Sequence, residues 1–386
     1  MCCIVSSIVQ FDIPPAIETC IVNDNAGRIM PLPNNLYDLP LADVDDTEQP
    51  KQPKSVRLGT PRGRVTERNA RLLAFAGMFP GVDAEALSML NLSQASPISE
   101  GGGLMRVRGT EQYLRKLYKL EALEKFRHAV TGTTSYGLSK LGFAYAREFD
   151  YDLEHGASMN GISIERLRHY RMIALVAAQF ASPIGYFKES LGIDPVGLDQ
   201  LVTEHEMRAA FEPVKQGLRE NKKRGKSNDY GKWRNDLLAR CLTDAQEGRI
   251  EWRDLLEAHP VLYTIGFPRR AESVLKPVHQ PDLVVNLDRD RTKAARNLLV
   301  EVELSKKSWD NYDAILATLK AELDKPFVYK RAVYFTIGPG VETLMRRVDA
   351  AGDYGLFKSG KLAVLPICNR DGEPLQPANR IRVEAK

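Results

Sequence analysis

From Thr66 onward, apolar residues recur at helical spacing. Thr66 can cap a helix whose stripe is Leu72, Leu73, Ala76 and Phe79, and Asp83 opens a short second helix with Ala86, Leu87 and Leu90 inward. Beyond Gly101-Gly102-Gly103 the spacing predicts a third helix over 110–120. Tyr113, Leu114, Leu117 and Leu120 take its apolar side, while Arg115, Lys116 and Lys119 face away. The pattern then changes to two short segments, 123–130 and 135–139, joined by Thr131-Gly132-Thr133-Thr134, which reads as a hairpin; residues 136–142 lead into another helix. A helix is expected over 163–181, with Leu167, Tyr170, Ile173, Ala174 and Ala177 inward and Pro183 ending it; it would connect domains or offer a dimer surface. A further helix is expected over 198–218. One of its stripes holds Met207, Ala210, Phe211, Val214 and Leu218, and the other holds Leu198, Leu201, Val202, His205 and Ala209. His205, inside an apolar stripe, reads as a satisfied core histidine.

Downstream, Trp252, Leu255 and Leu256 suggest a helix and residues 261–267 a strand leading to Pro268-Arg269-Arg270. Residues 280–287 and 297–304 both read as strands. The spacer 288–296 is too polar to bury and too short for a crossover helix, so the two form an antiparallel hairpin. The period of two puts Glu301, Glu303 and Ser305 on one face and Val300, Val302 and Leu304 on the other. Asp282, at the start of the first strand, falls beside Glu301 and Glu303. Three carboxylates this close repel unless a cation or shared proton lies between them, which points to a hard divalent metal. Ser308 then caps a helix with Tyr312, Ile315, Leu316, Leu319 and Leu323 inward. A buried strand over 331–338, a helix over 341–351 and a last strand over 362–367 complete the pattern.

Composition adds bounds. At 386 residues, 43% hydrophobic and 27% charged, the chain has room for two cores of a soluble globular protein plus tails. The layout expected is a poorly ordered tail and basic linker over 1–63, a first domain over 64–150, a connecting helix over 151–196 and a second domain over 197–386. The net charge of +4 is mild, so nucleic-acid binding rests on local clusters. One is Asn221-Lys222-Lys223-Arg224-Gly225-Lys226, with Lys232 and Arg234 beyond and Tyr230 and Trp233 interleaved; it reads either as a backbone clamp or as a surface loop. Pro61-Arg62-Gly63-Arg64 resembles an AT-hook core lacking its final proline, and a solvated linker is the plainer reading. The five cysteines form no C-x-x-C pair, so free thiols in a reducing cytoplasm are the default. The apolar opening lacks a basic leader, and 172–187 is too short and interrupted for a membrane span, so no membrane partner is expected.

Three helices, a hairpin and a following helix resemble a winged helix-turn-helix domain. The resemblance implies that Arg106, Arg108, Arg115, Lys116 and Lys119 surround a major-groove helix and that Lys125, Arg127 and His128 sit on the wing. Pro281-Asp282 with Glu301-Val302-Glu303 resembles the hairpin of the PD-(D/E)xK nucleases, with Glu303 where that superfamily usually has lysine. The order helix, strand, hairpin, helix, strand over about 198–370 agrees. The fold class implied is α+β or α/β, a winged helix followed by a restriction-endonuclease-like mixed sheet. That resemblance assigns Asp282, Glu301 and the carbonyl of Val302 to Mg2+, Glu303 to a ligand or base, and Lys306 or Lys307 to transition-state charge. Glu204 and Glu206 are both available as the acid often supplied by the first core helix. Together with Glu204-His205-Glu206, the two parts resemble the replication-relaxation family of mobile elements.

Three functions follow as expectations: Mg2+-dependent DNA hydrolysis in element replication, transfer or defence; a non-catalytic DNA-binding accessory factor or repressor on an inactive nuclease fold; or an interaction module in a larger assembly. The expected setting is the cytoplasm, associated with the nucleoid, with DNA and a homodimer mate or other element proteins as partners.

Overall fold

A computed structural model of the chain describes residues 67–90, 106–128, 133–149, 162–250, 255–266, 278–287, 297–325 and 328–376, together with 22–23, 29–30, 153 and 159. The expectations for the rest of the tail, the AT-hook-like run, the triple glycine, Trp252, residues 268–270 and the spacer 288–296 lie outside the described residues. Residues Met1–Pro61 and Arg62–Lys386 form separate units. In the first, β1 (Val22–Asn23) pairs antiparallel with β2 (Ile29–Met30).

The second unit begins with the three expected helices. They are α1 (Glu67–Met78), α2 (Ala84–Ser88) and α3 (Val107–Lys119), the last a turn longer at its start than the sequence pattern suggests. Leu72, Leu73, Ala76 and Phe79 are buried, and Asp83 caps α2 by accepting from the Ala86 N–H at 2.9 Å. The hairpin β3 (Leu123–Arg127) and β4 (Thr134–Leu138) follows in antiparallel register, with Leu123 opposite Leu138. Ser139 then caps α4 (Lys140–Arg147), which packs on α1.

Helix α5 (Ile164–Ala181) is buried along most of its length and touches both halves of the unit. Its Arg171 pairs with Asp83 at 2.5 Å, and Phe180 packs edge-on against Phe335, with ring centroids 6.0 Å apart. A short α6 (Lys188–Leu191) leads to β5 (Leu201–Thr203), α7 (Glu204–Lys223), α8 (Tyr230–Gln246), α9 (Leu255–Ala258), β6 (Ile265–Gly266), β7 (Val278–His279), β8 (Leu283–Asn286) and β9 (Asn297–Glu303). Then come α10 (Trp309–Leu323), β10 (Tyr329–Thr336), α11 (Gly340–Ala351) and β11 (Leu362–Pro366). Five strands form one mixed sheet in the order β11-β10-β9-β8-β5. The β8 and β9 pair is the expected hairpin, antiparallel, with Val284 opposite Leu299, while β10 and β11 run parallel to β9. Val284, Leu299 and Tyr334 form a core with Met207 of α7, Tyr312, Leu316 and Leu319 of α10, and Met345 of α11. The architecture is therefore α+β, with a mixed sheet covered by helices.

Two expected elements differ. The helix over 198–218 begins only at Glu204. Thr203 and Glu206 close a reciprocal cap, Glu206 N–H to Thr203 Oγ1 at 3.3 Å and Thr203 N–H to Glu206 Oε2 at 2.5 Å. Ahead of the cap, Leu201, Val202 and Thr203 pair antiparallel with β8 as an edge strand. Residues 261–267 are not one strand, since Pro260–Tyr263 is a 3₁₀ turn and only Ile265–Gly266 pairs. The Tyr230 hydroxyl donates to the carbonyls of Val261 and Thr264, and Arg234 donates to that of Leu262. Those side chains, rather than a neighbouring strand, satisfy the turn.

Candidate functional site

Two regions carry the residues singled out above. The first is the outer side of α3. Arg106, Arg108, Arg115, Lys116 and Lys119 are all exposed, as are Lys125 and Arg127 on the hairpin, and His128 is half-buried. Along α3, Arg108, Gln112, Arg115 and Lys119 recur every three or four residues and are all exposed, so they form one stripe, while Leu114 and Leu117 anchor the opposite side. Gln112, in the middle of that stripe, escaped the charge pattern because it carries no charge. Arg115, Lys125 and Arg127 line one cleft of about 500 Å3 between α3 and the hairpin, with Tyr118, Thr133 and Thr134. Lys125 Nζ lies 4.0 Å from the centre of the Tyr118 ring, a cation–π contact that fixes the lysine over the cleft. Asp83, Glu85 and Glu111 also line it, and Glu111 reaches Arg115 at 3.9 Å.

Lys222 and Lys223 end α7, Arg224 follows as its cap residue, and all three are exposed. The aromatic residues near them are not free to stack on bases. Tyr230 is buried and Trp233 packs on it, their ring centroids 5.8 Å apart. Arg234 is buried too, in a two-pronged pair with Glu322.

The second region lies where β8 starts and β9 ends. A cleft of about 360 Å3 is lined by His169, Asp282, Glu301, Val302, Glu303, Leu304, Ser305 and Lys307. Asp282 is held at both oxygens: Oδ2 accepts from the Val302 N–H at 2.7 Å, and Oδ1 lies 2.9 Å from His169 Nε2. Glu301 Oε1 lies 2.5 Å from His279 Nε2, and Glu303 pairs with Lys307. Of the two candidate lysines, Lys307 is in the cleft. Lys306 turns away, its Cδ near the start of α11 at Gly340. Of the two candidate helix acids, Glu206 is used in the cap of α7, whereas Glu204 is close enough to His169 to influence its charge and also pairs with Arg208.

Each charge in the cleft answers another. Burial opposes charge on His169 and His279, but hydrogen bonding and proximity to Asp282 in the first case, and to Glu301 in the second, outweigh it and raise both imidazoles above their ordinary pKa. Burial raises the Glu301 carboxyl, with Asp282 adding to the effect and His279 opposing it. Burial lowers the Lys307 ammonium, against the pull of Glu301 and Asp282. Both Asp282 oxygens and one of Glu301 face N–H groups, and a carboxylate oxygen that accepts one hydrogen bond keeps a second lone pair open to a hard cation. Among the described residues no ready-made cluster of three or more His, Cys, Asp and Glu side chains is disposed to hold a metal.

Sequence reasoning missed His169 and His279. His279 stands three residues before Asp282, so proximity along the chain was an available signal. His169 is 113 residues away on α5, and nothing local marks it.

His205 is half-buried rather than satisfied. Its Nε2 is enclosed without a hydrogen-bond partner among the described residues, its ring centroid lies 5.4 Å from that of Tyr170, and burial, helped by Arg208 and Arg166, lowers its pKa to about 4. No helix among the described residues is long and apolar enough to cross a membrane. No family model, curated protein or solved structure matches this chain.

Proposed function

We propose that this chain is a DNA-binding protein that grips the duplex through α3 and the β3–β4 hairpin, in the manner of a winged helix-turn-helix, and carries a core of the PD-(D/E)xK kind. The observation that carries the reading is the exposed stripe Arg108, Gln112, Arg115 and Lys119, continued by Lys125 and Arg127 across one cleft. Cations on a helix and an adjoining hairpin neutralise phosphates on both sides of a groove, and an uncharged amide between arginines can read a base edge. Lys222, Lys223 and Arg224 supply a second cationic end for DNA that runs past the module. Anisotropy of a labelled duplex tests this. Changing Arg115 and Lys119 together to Ala should weaken binding roughly tenfold and reduce its salt dependence. Binding that ignores both substitutions overturns the reading.

A second reading adds phosphodiester hydrolysis in the cleft at β8 and β9. It is favoured by Lys307, which folds back beside Glu303 in the same cleft as Asp282 and Glu301 and so supplies the cation missing from the Glu301-Val302-Glu303 run. The order β5, β8, β9, α10, β10, with β5 and β8 antiparallel to their neighbours and β10 parallel to β9, supports the nuclease-like assignment. Nicking of supercoiled DNA that disappears in Glu301→Ala supports hydrolysis. A preparation that binds DNA and cuts none, with or without added Mg2+, makes the chain a DNA-binding accessory factor.

A further inference from the structure

Among the described residues two aromatic side chains are exposed, Tyr118 at 40% and Trp309 at 39%. Each has a cation over its ring: Lys125 Nζ lies 4.0 Å from the Tyr118 centroid, and the Arg347 guanidinium 5.7 Å from that of Trp309. Tyr118 belongs to the cleft at α3. Trp309 lines neither cleft and takes no part in the core that Tyr312, Leu316 and Leu319 of the same helix build. A tryptophan left in water forgoes a large apolar burial, and here a guanidinium holds the indole in place while much of it stays accessible.

The surroundings of this ring are cationic. Trp309 opens α10, and three residues before it Lys306 lays its Cδ 3.8 Å from where a Cβ on Gly340 would stand. Gly340 and Arg347 both belong to α11 and are two turns apart, so they share one face of it, and that face gathers Lys306, Arg347 and the indole. Lys306 and Arg347 are exposed, and neither makes an ion pair with a described residue. The acids beside them are Asp310, next to Trp309 in the chain, and Glu342, which Arg346 engages at 2.8 Å. An indole face accepts the face of another ring. In duplex DNA the base faces are covered by their neighbours and only edges reach the grooves, so the matching partner is an unpaired base, and the cations suit the phosphates that flank it. An acidic peptide would use the cations and leave the ring idle.

We propose that this face of α11, with the start of α10, binds single-stranded DNA, one base stacking on Trp309 and the flanking phosphates resting on Lys306 and Arg347. The site goes beyond the duplex grip of α3 and the hairpin, uses none of its residues, and does not depend on hydrolysis in the neighbouring cleft. Anisotropy of the full chain with labelled oligothymidylate, a duplex of equal length and an abasic strand of equal length tests it, with the melting temperature of every variant measured. Trp309→Leu keeps apolar bulk without a ring face; it should weaken oligothymidylate binding by roughly 5–150-fold and leave duplex and abasic-strand affinity unchanged. Trp309→Phe should keep most of the affinity. Changing Lys306 and Arg347 together to Ala should weaken oligothymidylate and abasic strand alike and lower the salt dependence of both. Oligothymidylate binding that is indifferent to Trp309→Leu, that falls equally on the abasic strand, or that polyglutamate displaces as well as unlabelled strand does, overturns the inference and leaves the duplex grip untouched. Loss of oligothymidylate binding on changing Arg115 and Lys119 to Ala overturns it too, since the strand then sits on α3. Trp309-dependent oligothymidylate binding by a chain whose duplex affinity ignores Arg115 and Lys119 upholds it and overturns the duplex grip instead. Should Trp309→Leu fail to fold, unchanged oligothymidylate affinity in the Lys306 and Arg347 double variant overturns the inference, and a loss there that Trp309→Phe does not share upholds it.

Discussion

Arg234 and Glu322 offer the sharpest quantitative test of how the core is held. Both side chains are buried, 2% and 4% exposed, and the guanidinium meets the carboxylate with two parallel bonds of 2.9 and 2.6 Å. The same guanidinium donates from Nε and Nη2 to the Leu262 carbonyl at 3.1 and 2.6 Å, so one side chain ties α8 to α10 and to the 3₁₀ turn between them. Removing Glu322 leaves a buried guanidinium with only a carbonyl for company, a change that costs about 3–5 kcal/mol. Removing Arg234 is less severe for its partner, because Lys325 Nζ stands 3.2 Å from Glu322 Oε2 and reaches solvent. It also strands the Leu262 carbonyl, at about 1–3 kcal/mol. Glu322→Leu should therefore destabilise more than Arg234→Leu, and the double variant should be better than the sum of the two by roughly 2–3 kcal/mol, since neither charge is then left alone. Urea unfolding followed by circular dichroism measures all three. A Glu322→Leu protein within about 1 kcal/mol of the parent, or a double variant that simply adds the single losses, would refute the argument.

His205 should give the protein an acid-sensitive step. With its folded pKa lowered to about 4 and an unfolded value near 6.5, the unfolded chain takes up the proton first, so its contribution is complete above the unfolded value and is lost as pH falls. Stability should drop by about 2 kcal/mol between roughly pH 7 and pH 5, a slope that His205→Phe should flatten and that thermal melts at several pH values would reveal. A pair of glycine substitutions separates close packing from helix propensity. A Cβ at Gly142 would lie 2.0 Å from the Ala122 carbonyl oxygen, so Gly142→Ala should cost about 1–3 kcal/mol. At Gly109, inside α3, nothing lies within 4 Å, and Gly109→Ala should stabilise by up to about 1 kcal/mol. Equal melting temperatures for the two variants would count against the packing described. Asp83→Ala removes both the cap of α2 and the partner of Arg171, and should lower the melting temperature and loosen α2 as seen by hydrogen exchange.

The hairpin at β8 and β9 was legible because two local signals agree. Alternation along 300–304 is strict, and a polar spacer of that length permits little but a reversal. The helices α1, α2, α5 and α10 were legible for a similar reason, each having a cap or breaker at an end of an apolar stripe. Three short-range choices were not. Leu201, Val202 and Thr203 have apolar spacing too short to distinguish a strand from a first helical turn, and the tertiary pairing with β8 decided it. Residues 261–267 look like a strand, yet Tyr230 and Arg234 satisfy the carbonyls, and neither interaction has a local signature. Lys306 and Lys307 are equivalent in the sequence, and only the direction in which the chain leaves β9 separates them. His169 was out of reach altogether, since its meaning depends on α5 crossing to the end of a hairpin more than a hundred residues away. On α3 and the β3–β4 hairpin, charge marked seven exposed cations correctly as surface, but near the second basic run it gave no sign that Tyr230 belongs to the core and that Trp233 packs against it.

Helix α5 sets a limit on how this protein can be taken apart or recombined. His169 and Arg171 are two positions apart, about 200° around the helix axis, so one turn of helix offers nearly opposite sides to Asp282 of the sheet and to Asp83 at the head of α2. A cut before α5 would leave Asp83 and Glu85 without Arg171, and a cut after it would leave Asp282 without its imidazole. Neither fragment would inherit a finished surface. A chimera that exchanges the half holding α1 to α4 for another must therefore carry α5 with one partner and rebuild its contacts with the other, which makes this helix a shared wall and not a spacer.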